Sequence, residues 1–208
     1  MLNNIEIREI GSHDCLFRGE SDSLKELVAS AVRLQTDLTF ADLQGADLAG
    51  VQIRYASLNS SDLSTANLAG ADLSRARLTF ARLDRADLSE AILVQISLLG
   101  SSLVGANLTK ANLIQANLLG STLCGADLTE ANLSEADLSG ANLSGANLSN
   151  ARLPFARLPE TSLFGVRATG AALSAVDLSR ADLSGAHLSR SDMVGAALSG
   201  ARLKGAIV

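Results

Sequence analysis

One five-residue frame runs without insertion or deletion from residue 36 to residue 208. Its centre falls on every residue number that ends in 3 or 8, and 31 of the 35 centres are Leu. Two residues before the centre, 25 of the 35 positions are Ala. Because residues two apart on an extended segment point to the same side, we expect the Leu and Ala columns to face inward. The other three positions are mostly polar or Gly and are expected to face outward.

Glycine is confined almost entirely to one phase of this frame. Fifteen of the 17 Gly residues lie two positions after a centre. Glycine at one fixed phase indicates a recurring corner where the backbone takes a positive φ, as in a type II turn. Each pentapeptide is therefore predicted to form one short side and one corner. This spacing alone leaves open how many pentapeptides make a complete coil.

The repeats also carry a recognisable motif. The runs ADLTE (126–130) and ANLSG (141–145) match the pattern A(D/N)LXX, in frame throughout. In this respect about five-sixths of the chain resembles the pentapeptide repeat family. The resemblance implies an all-β fold, a right-handed quadrilateral β-helix in which four pentapeptides form each coil. For residues 36–208 it implies a solenoid of about nine coils.

Residues 1–35 lie outside the frame and are predicted to form a small N-terminal cap. Apolar residues alternate over 5–10 and return at 15–18, which favours a hairpin around the turn-forming residues 11–14. An S-x-x-E capping box then predicts a helix over 24–33. We expect this helix to lay its apolar face on the open first coil, since a solenoid end needs a lid. The chain thus divides into a hairpin-plus-helix cap and the β-helix.

Charge and cysteine content limit the partners and the compartment. The net charge of −5 disfavours direct binding to nucleic acid or to an anionic membrane. Cys15 and Cys124 are too few for a disulfide framework. The chain has no long apolar run for a membrane span, and its first residues do not resemble a signal peptide. These observations favour a cytoplasmic protein.

The repeat offers little material for catalysis. A closed apolar core without loop insertions leaves no cleft where unlike groups could converge. His13 and His187 are far apart in the sequence, and no set of residues has metal-ligand spacing. We therefore expect no catalytic residue, no cofactor and no metal, and an enzyme is only a remote alternative.

The leading functional hypothesis is a non-catalytic structural or protein-interaction module that presents a rigid repeat surface to a protein partner. Outward positions are polar or Gly along most of the repeat, but a local apolar belt interrupts this pattern between residues 92 and 124. An apolar patch on a soluble protein often marks a contact site. The candidate partner-binding residues of this belt are Ile92, Val94, Leu99, Val104, Ile114, Leu119 and Cys124.

An alternative hypothesis is a DNA-mimicking protein. Steps of 20 residues would stack Asp47, Asp87 and Asp127 in one outward column, with Asn at the positions between them. Some members of the family that this chain resembles protect DNA gyrase, a type II topoisomerase, by imitating DNA. Two groups of arginines, at 75–85 and at 152–167, weaken this hypothesis because a DNA mimic should be uniformly negative.

The last residues suggest a self-association site. The sequence closes on the apolar run Ala206, Ile207 and Val208 without a capping helix. An exposed apolar coil invites pairing, and gyrase-protecting members of the family form head-on dimers at this end. The hypothesis is a homodimer through residues 196–208.

Overall fold

The computed structural model describes residues 3–208. Its regular elements lie near the N-terminus: β1 (Asn3–Glu9), β2 (Cys15–Ser21), α1 (Leu24–Arg33) and the short β3 (Ala41–Asp42). The three strands form one sheet in the order β2-β1-β3. Within residues 3–208, no helix has the length and apolarity needed to cross a bilayer.

Strand β1 connects the cap to the repeat. It pairs antiparallel with β2, with Asn3 opposite Ser21 and a register shift after Ile7. Its other edge pairs with β3, with Arg8 opposite Asp42. The sequence did not indicate this second pairing. The cap is therefore hydrogen-bonded to the first pentapeptides as well as packed on them.

Helix α1 begins at the predicted N-cap, Ser23. The Ser23 hydroxyl accepts a hydrogen bond from the Glu26 N–H at 3.3 Å, which satisfies one of the free donors of the first turn. The apolar face of α1, formed by Leu27, Val28 and Ala31, is buried in the same core as the first repeat residues. The helix thus closes the N-terminal end of the repeat.

The repeat is held by hydrogen bonds between residues about 20 apart. Parallel β-bridges join positions i and i+20 all along the chain, from Asp42 with Asp62 to His187 with Ile207. From Leu38 to Leu188 the N–H of the centre donates to a carbonyl of the next coil, as from Leu93 to Asn112 at 2.8 Å. Outward side chains therefore stack in columns with steps of 20 residues.

Every corner from residue 40 to residue 205 has a positive φ, as the glycine pattern predicted. The residue after each corner donates its N–H to the preceding centre, as from Ile96 to Leu93 at 3.2 Å. Fifteen corners are glycine, but 19 carry another residue in the same left-handed conformation. Glycine is thus favoured but not required, and each non-glycine corner costs about 1–2 kcal/mol.

The frequent Asp or Asn just before each centre has a local structural role. The N–H of the residue after the centre has no backbone partner, and the Asp or Asn side chain accepts its hydrogen bond instead. Asp62 accepts from the Ser64 N–H at 2.9 Å, and Asp137 accepts from the Ser139 N–H at 3.0 Å. This contact completes the backbone hydrogen bonding of the side, which an unpaired N–H would weaken.

The interior is formed by the Leu and Ala columns, which face inward as predicted. Most buried hydroxyls are hydrogen-bonded: Ser101, for example, donates to the Leu98 carbonyl at 2.7 Å. Within residues 3–208 the exception is the hydroxyl of Ser64, which has no hydrogen-bond partner. One defect lies where Ala168 replaces the usual Leu. Apolar side chains there surround a cavity of about 10 Å³, which is the space open to the centre of a water molecule. The larger Val166 two residues earlier fills the gap only in part.

Candidate functional site

The acidic ladder stacks as the sequence predicted, but its side chains hydrogen-bond to their neighbours. The Asp47 carboxylate accepts from the Asn67 amide at 3.0 Å. The Asp87 carboxylate accepts from the Asn107 amide at 2.9 Å. Asp127 accepts from the hydroxyl and the N–H of the residue two positions on, at 2.5 and 3.0 Å. Alternation of Asp with Asn thus replaces like-charge repulsion by hydrogen bonds.

This acidic column does not continue along the whole repeat. After Asn147 the same column carries Arg167, His187 and Ile207. The neighbouring sides also carry ion pairs between coils. Arg82 lies 3.3 Å from the carboxylate of Asp62, a residue that is only 8% exposed. The outer surface is therefore a patchwork of both charges.

The seven belt residues all lie on the outer surface. Ile92, Val104 and Leu119 are the most exposed, at 42%, 39% and 43%, and the other four are half-buried. The structure divides them into three strips: Ile92, Val94 and Ile114; Leu99 and Leu119; Val104 and Cys124.

Polar side chains separate the first two strips of the belt. Gln95 and Gln115 form the corner between them and are hydrogen-bonded to each other at 2.7 Å. The belt is therefore not one continuous apolar face. Each strip is narrow, and a partner would contact apolar and amide groups together.

An exposed aromatic side chain enlarges the second strip, and the sequence interpretation missed it. Phe80 is 64% exposed. Its ring lies over Gly100 so closely that a Cβ at that glycine would be 2.5 Å from the ring. Gly100 directly follows Leu99, so the ring lies beside the strip. The available signal was an aromatic corner residue followed 20 positions later by glycine.

The last coil exposes its core positions. Leu198, Leu203 and Val208 are 38%, 44% and 85% exposed, and the outward Ile207 beside them is 50% exposed. One coil earlier, Leu188 is 2% exposed. Ala206 is half-buried. The residues of the dimer hypothesis thus present an apolar surface at this end.

A basic cleft lies where the cap meets the first coil, and sequence reasoning did not find it. Its volume is about 500 Å³. Its lining residues come from the end of α1, the segment that follows and the next two coils: Val32, Arg33, Gln35, Thr36, Arg54, Tyr55, Ala56, Ser57 and Arg77. Residues that are distant in sequence meet there because residues 57 and 77 stack in consecutive coils.

A hydrogen-bonded chain of side chains supports one wall of this cleft. Arg75 donates to the Tyr55 hydroxyl at 3.0 Å and to the Gln95 amide oxygen at 2.7 Å. The guanidinium of Arg54 is 5.8 Å from the centre of the Tyr55 ring, and that of Arg75 is 5.7 Å away. Such cation–π distances hold the ring in place.

The chemistry of the surface gives no sign of a metal centre. Among residues 3–208, no three His, Cys, Asp or Glu side chains are grouped closely enough to hold a metal ion. Cys15 and Cys124 are both free thiols.

Comparison with known proteins agrees with the repeat geometry. The profile of the pentapeptide repeat family matches overlapping segments that together cover residues 35–205. The chain belongs to the pentapeptide repeat family. Among curated proteins no sequence relative is found.

Several solved pentapeptide repeat structures are similar to this chain. HetL, from the cyanobacterium Nostoc, is 35% identical with a TM-score of 0.60, over 82% of this chain and 86% of HetL. A trypsin-treated variant of QnrB1, a plasmid-mediated fluoroquinolone resistance protein, is 20% identical over 78% of this chain and 86% of QnrB1, with a TM-score of 0.48. A protein of the Arabidopsis thaliana thylakoid lumen is 36% identical over 53% of this chain and 66% of that protein, with a TM-score of 0.28.

Proposed function

We propose that this pentapeptide repeat protein is a non-catalytic module that binds a protein partner through its rigid outer surface. The observation that carries the proposal is the second strip of the belt, where Leu99 and Leu119 stack beside the exposed ring of Phe80. Aromatic and large aliphatic side chains contribute most to the centres of protein interfaces. A rigid surface also loses little conformational entropy on binding.

Similarity to HetL supports a regulatory role of this kind. HetL is involved in the regulation of heterocyst differentiation.

We also propose that the repeat folds as a right-handed quadrilateral β-helix of about nine coils. The 20-residue bridges support it. A cytoplasmic location is also proposed, supported by the two free thiols.

The test removes the apolar strips without touching the core. One variant carries Ser at Val94, Leu99, Ile114 and Leu119, the residue that later coils carry at Ser134 and Ser139 in the same columns. A second variant adds Phe80→Ser. The matched control is Phe155→Ser, which removes an equally exposed aromatic ring (67%) from a corner outside the belt.

Partner capture from the native cell is then compared by mass spectrometry. We expect both belt variants to keep the circular dichroism spectrum and melting curve of the parent and to lose its specific partner. Phe155→Ser should keep that partner. Capture of the same partner by the belt variants would contradict the proposal.

The DNA-mimicking alternative rests on one observation. The column from Asp47 to Asn147 carries three carboxylates and no basic residue. The ion pairs on the other sides and the later Arg167 count against a continuous negative face. A supercoiling assay with purified DNA gyrase decides this question. Mimicry requires that the parent protein inhibits gyrase or protects it, and that Asp87→Asn combined with Asp127→Asn abolishes this effect. No effect of the parent protein would exclude this alternative.

Self-association through residues 196–208 is a separate part of the proposal. The exposed Leu198, Leu203 and Val208 supply an apolar contact surface. Sedimentation should then show a dimer that Leu203→Asp converts to a monomer. A monomeric parent protein at high concentration would contradict it.

A further inference from the structure

The cleft between α1 and the first coils gathers positive charge on a protein whose net charge is negative. Its lining includes Arg33, Arg54 and Arg77, and Arg75 contacts its tyrosine wall. Because we propose a protein partner, we infer that this cleft binds an oxyanion-bearing segment of that partner, that is, a short acidic or phosphorylated peptide. The inference thus rests on the proposed function and adds a second contact site to it.

The arginines are available for an anion because carboxylates do not occupy them. Within residues 3–208, neither Arg33 nor Arg77 lies within 4.0 Å of a carboxylate oxygen. Arg54 makes one long ion pair, 3.8 Å from the Asp72 carboxylate. Guanidinium groups that converge in a concave site, with open donors, are well suited to carboxylate and phosphate groups.

The negative groups near the cleft do not cancel this charge. Asp37 faces Arg77. Hydrogen bonds from Thr39 and from the Ser57 hydroxyl, together with that guanidinium, lower the pKa of the Asp37 carboxyl. Asp72 pairs with Arg54, and Glu20 and Glu26 line a separate pocket with Arg33.

The negative end of the α1 dipole also lies nearby, but its last carbonyls are occupied. The carbonyls of Ser30, Ala31 and Val32 accept hydrogen bonds from the N–H groups of residues 34, 36 and 35. The helix end therefore presents few free acceptors to an incoming anion.

The remaining lining groups suit a peptide. Thr36 offers a hydroxyl donor and Gln35 offers an amide, whereas the Ser57 hydroxyl hydrogen-bonds to the Asp37 carboxylate. Tyr55 is 58% exposed and provides a flat apolar wall that Arg75 holds in position. A cleft of about 500 Å³ has room for a few side chains, more than one phosphate group needs. Arginine clusters are a common means of recognising acidic and phosphorylated motifs.

Tyr55 makes the test direct, because it is the one Tyr of the chain and the chain has no Trp. Excitation of tyrosine therefore reports on the cleft alone when the probe lacks aromatic residues. The probe is a short Glu/Gly/Ser peptide, used unphosphorylated and with phosphoserine. A peptide with Gln in place of Glu is the neutral control, and inorganic phosphate is tested separately.

The acidic peptide should change Tyr55 emission and saturate, more tightly when phosphorylated, and the Gln peptide should not. Raising NaCl from about 50 to about 300 mM should weaken binding. Arg33→Gln combined with Arg77→Gln should lower the affinity at least about tenfold. The matched control is Arg157→Gln, in the same column as Arg77 but outside the cleft, and its affinity should stay within about twofold of the parent's.

Three results would overturn the inference. The first is no saturable response to either acidic peptide. The second is equal binding of the Gln peptide, or an equal loss of affinity in Arg157→Gln. The third is binding of inorganic phosphate as tightly as the phosphopeptide, which would assign the cleft to a free small anion. Each can occur while the belt variants still lose the captured partner, so failure of the cleft is distinguishable from failure of the proposed function.

Discussion

Ala168 is the one alanine in its column of centres, and it lies beside a small cavity. Substitutions there measure how the volumes of Val166 and Ala168 compensate each other in the core. The column otherwise carries Leu from Leu48 to Leu188, and the column two residues earlier carries Ala except at Val166. If Val166 compensates for Ala168, the double variant Val166→Ala with Ala168→Leu restores the residues common in these columns and should improve packing. Either substitution alone should not.

The expected magnitudes follow from buried carbon atoms. Val166→Ala removes two methyl groups at about 0.8 kcal/mol each and enlarges the cavity, so it should destabilise by about 2 kcal/mol. Ala168→Leu adds three carbons, worth up to about 2.4 kcal/mol, but crowding against Val166 opposes this by about 1–3 kcal/mol. The double variant gains a net carbon and fills the cavity, for about 1–2 kcal/mol of added stability.

The assay is denaturant unfolding and calorimetry of the parent, both single variants and the double variant. The double variant should melt about 2–8 °C higher, and the double-mutant cycle should show a favourable coupling above about 1 kcal/mol. Ala146→Val is the control, since it places Val beside a normal Leu148 and should only crowd the core. Additive effects of the two exchanges, or a less stable double variant, would refute the compensation.

Three further predictions concern the corners, the core and pH. Gly100→Ala and Gly120→Ala both place alanine at a positive φ, but only at Gly100 would the new Cβ lie 2.5 Å from the Phe80 ring. Gly100→Ala should therefore lower the melting temperature more than Gly120→Ala. An equal decrease in melting temperature would contradict the contact. Leu118→Asp buries an unpaired charge and should abolish folding by circular dichroism; unchanged melting would remove Leu118 from the core. Hydrogen bonds from the hydroxyl and N–H of the residue two positions later lower the pKa of Asp177 from its ordinary 3.8. Because the pKa of Asp177 is lower in the folded state, its carboxylate stabilises the fold above pH 3.8, and this stabilisation is lost as the pH falls through the folded-state pKa. Asp177→Asn should therefore flatten the fall of melting temperature at acid pH. An unchanged fall would contradict this.

The functional surfaces were only partly readable from the sequence. The belt could be found because Leu99 and Leu119 break a polar pattern at a fixed phase. Phe80 was overlooked because its corner phase tolerates many residue types, and its importance depends on the missing side chain at Gly100. The belt and the acidic ladder stay predictions about function, which the experiments above address.

The sequence by itself determined the local geometry. The fixed spacing of Leu and Ala specified which side chains are buried, and glycine at one phase specified the positive φ of the corners. The capping box specified a helix that the structure has at Leu24–Arg33. These features depend on contacts within a few residues, where side-chain direction and backbone sterics act directly.

Only the tertiary structure decided what meets across coils. The bridges at steps of 20 residues, the pairing of β1 with β3 and the cleft of Arg33, Arg54 and Arg77 all depend on contacts between distant segments. A pentapeptide has the same internal contacts whatever the size of the coil it belongs to. The 20-residue step is set by backbone hydrogen bonds between stacked segments, and it brings Arg54 and Arg77 together beside the end of α1, where Arg33 lies.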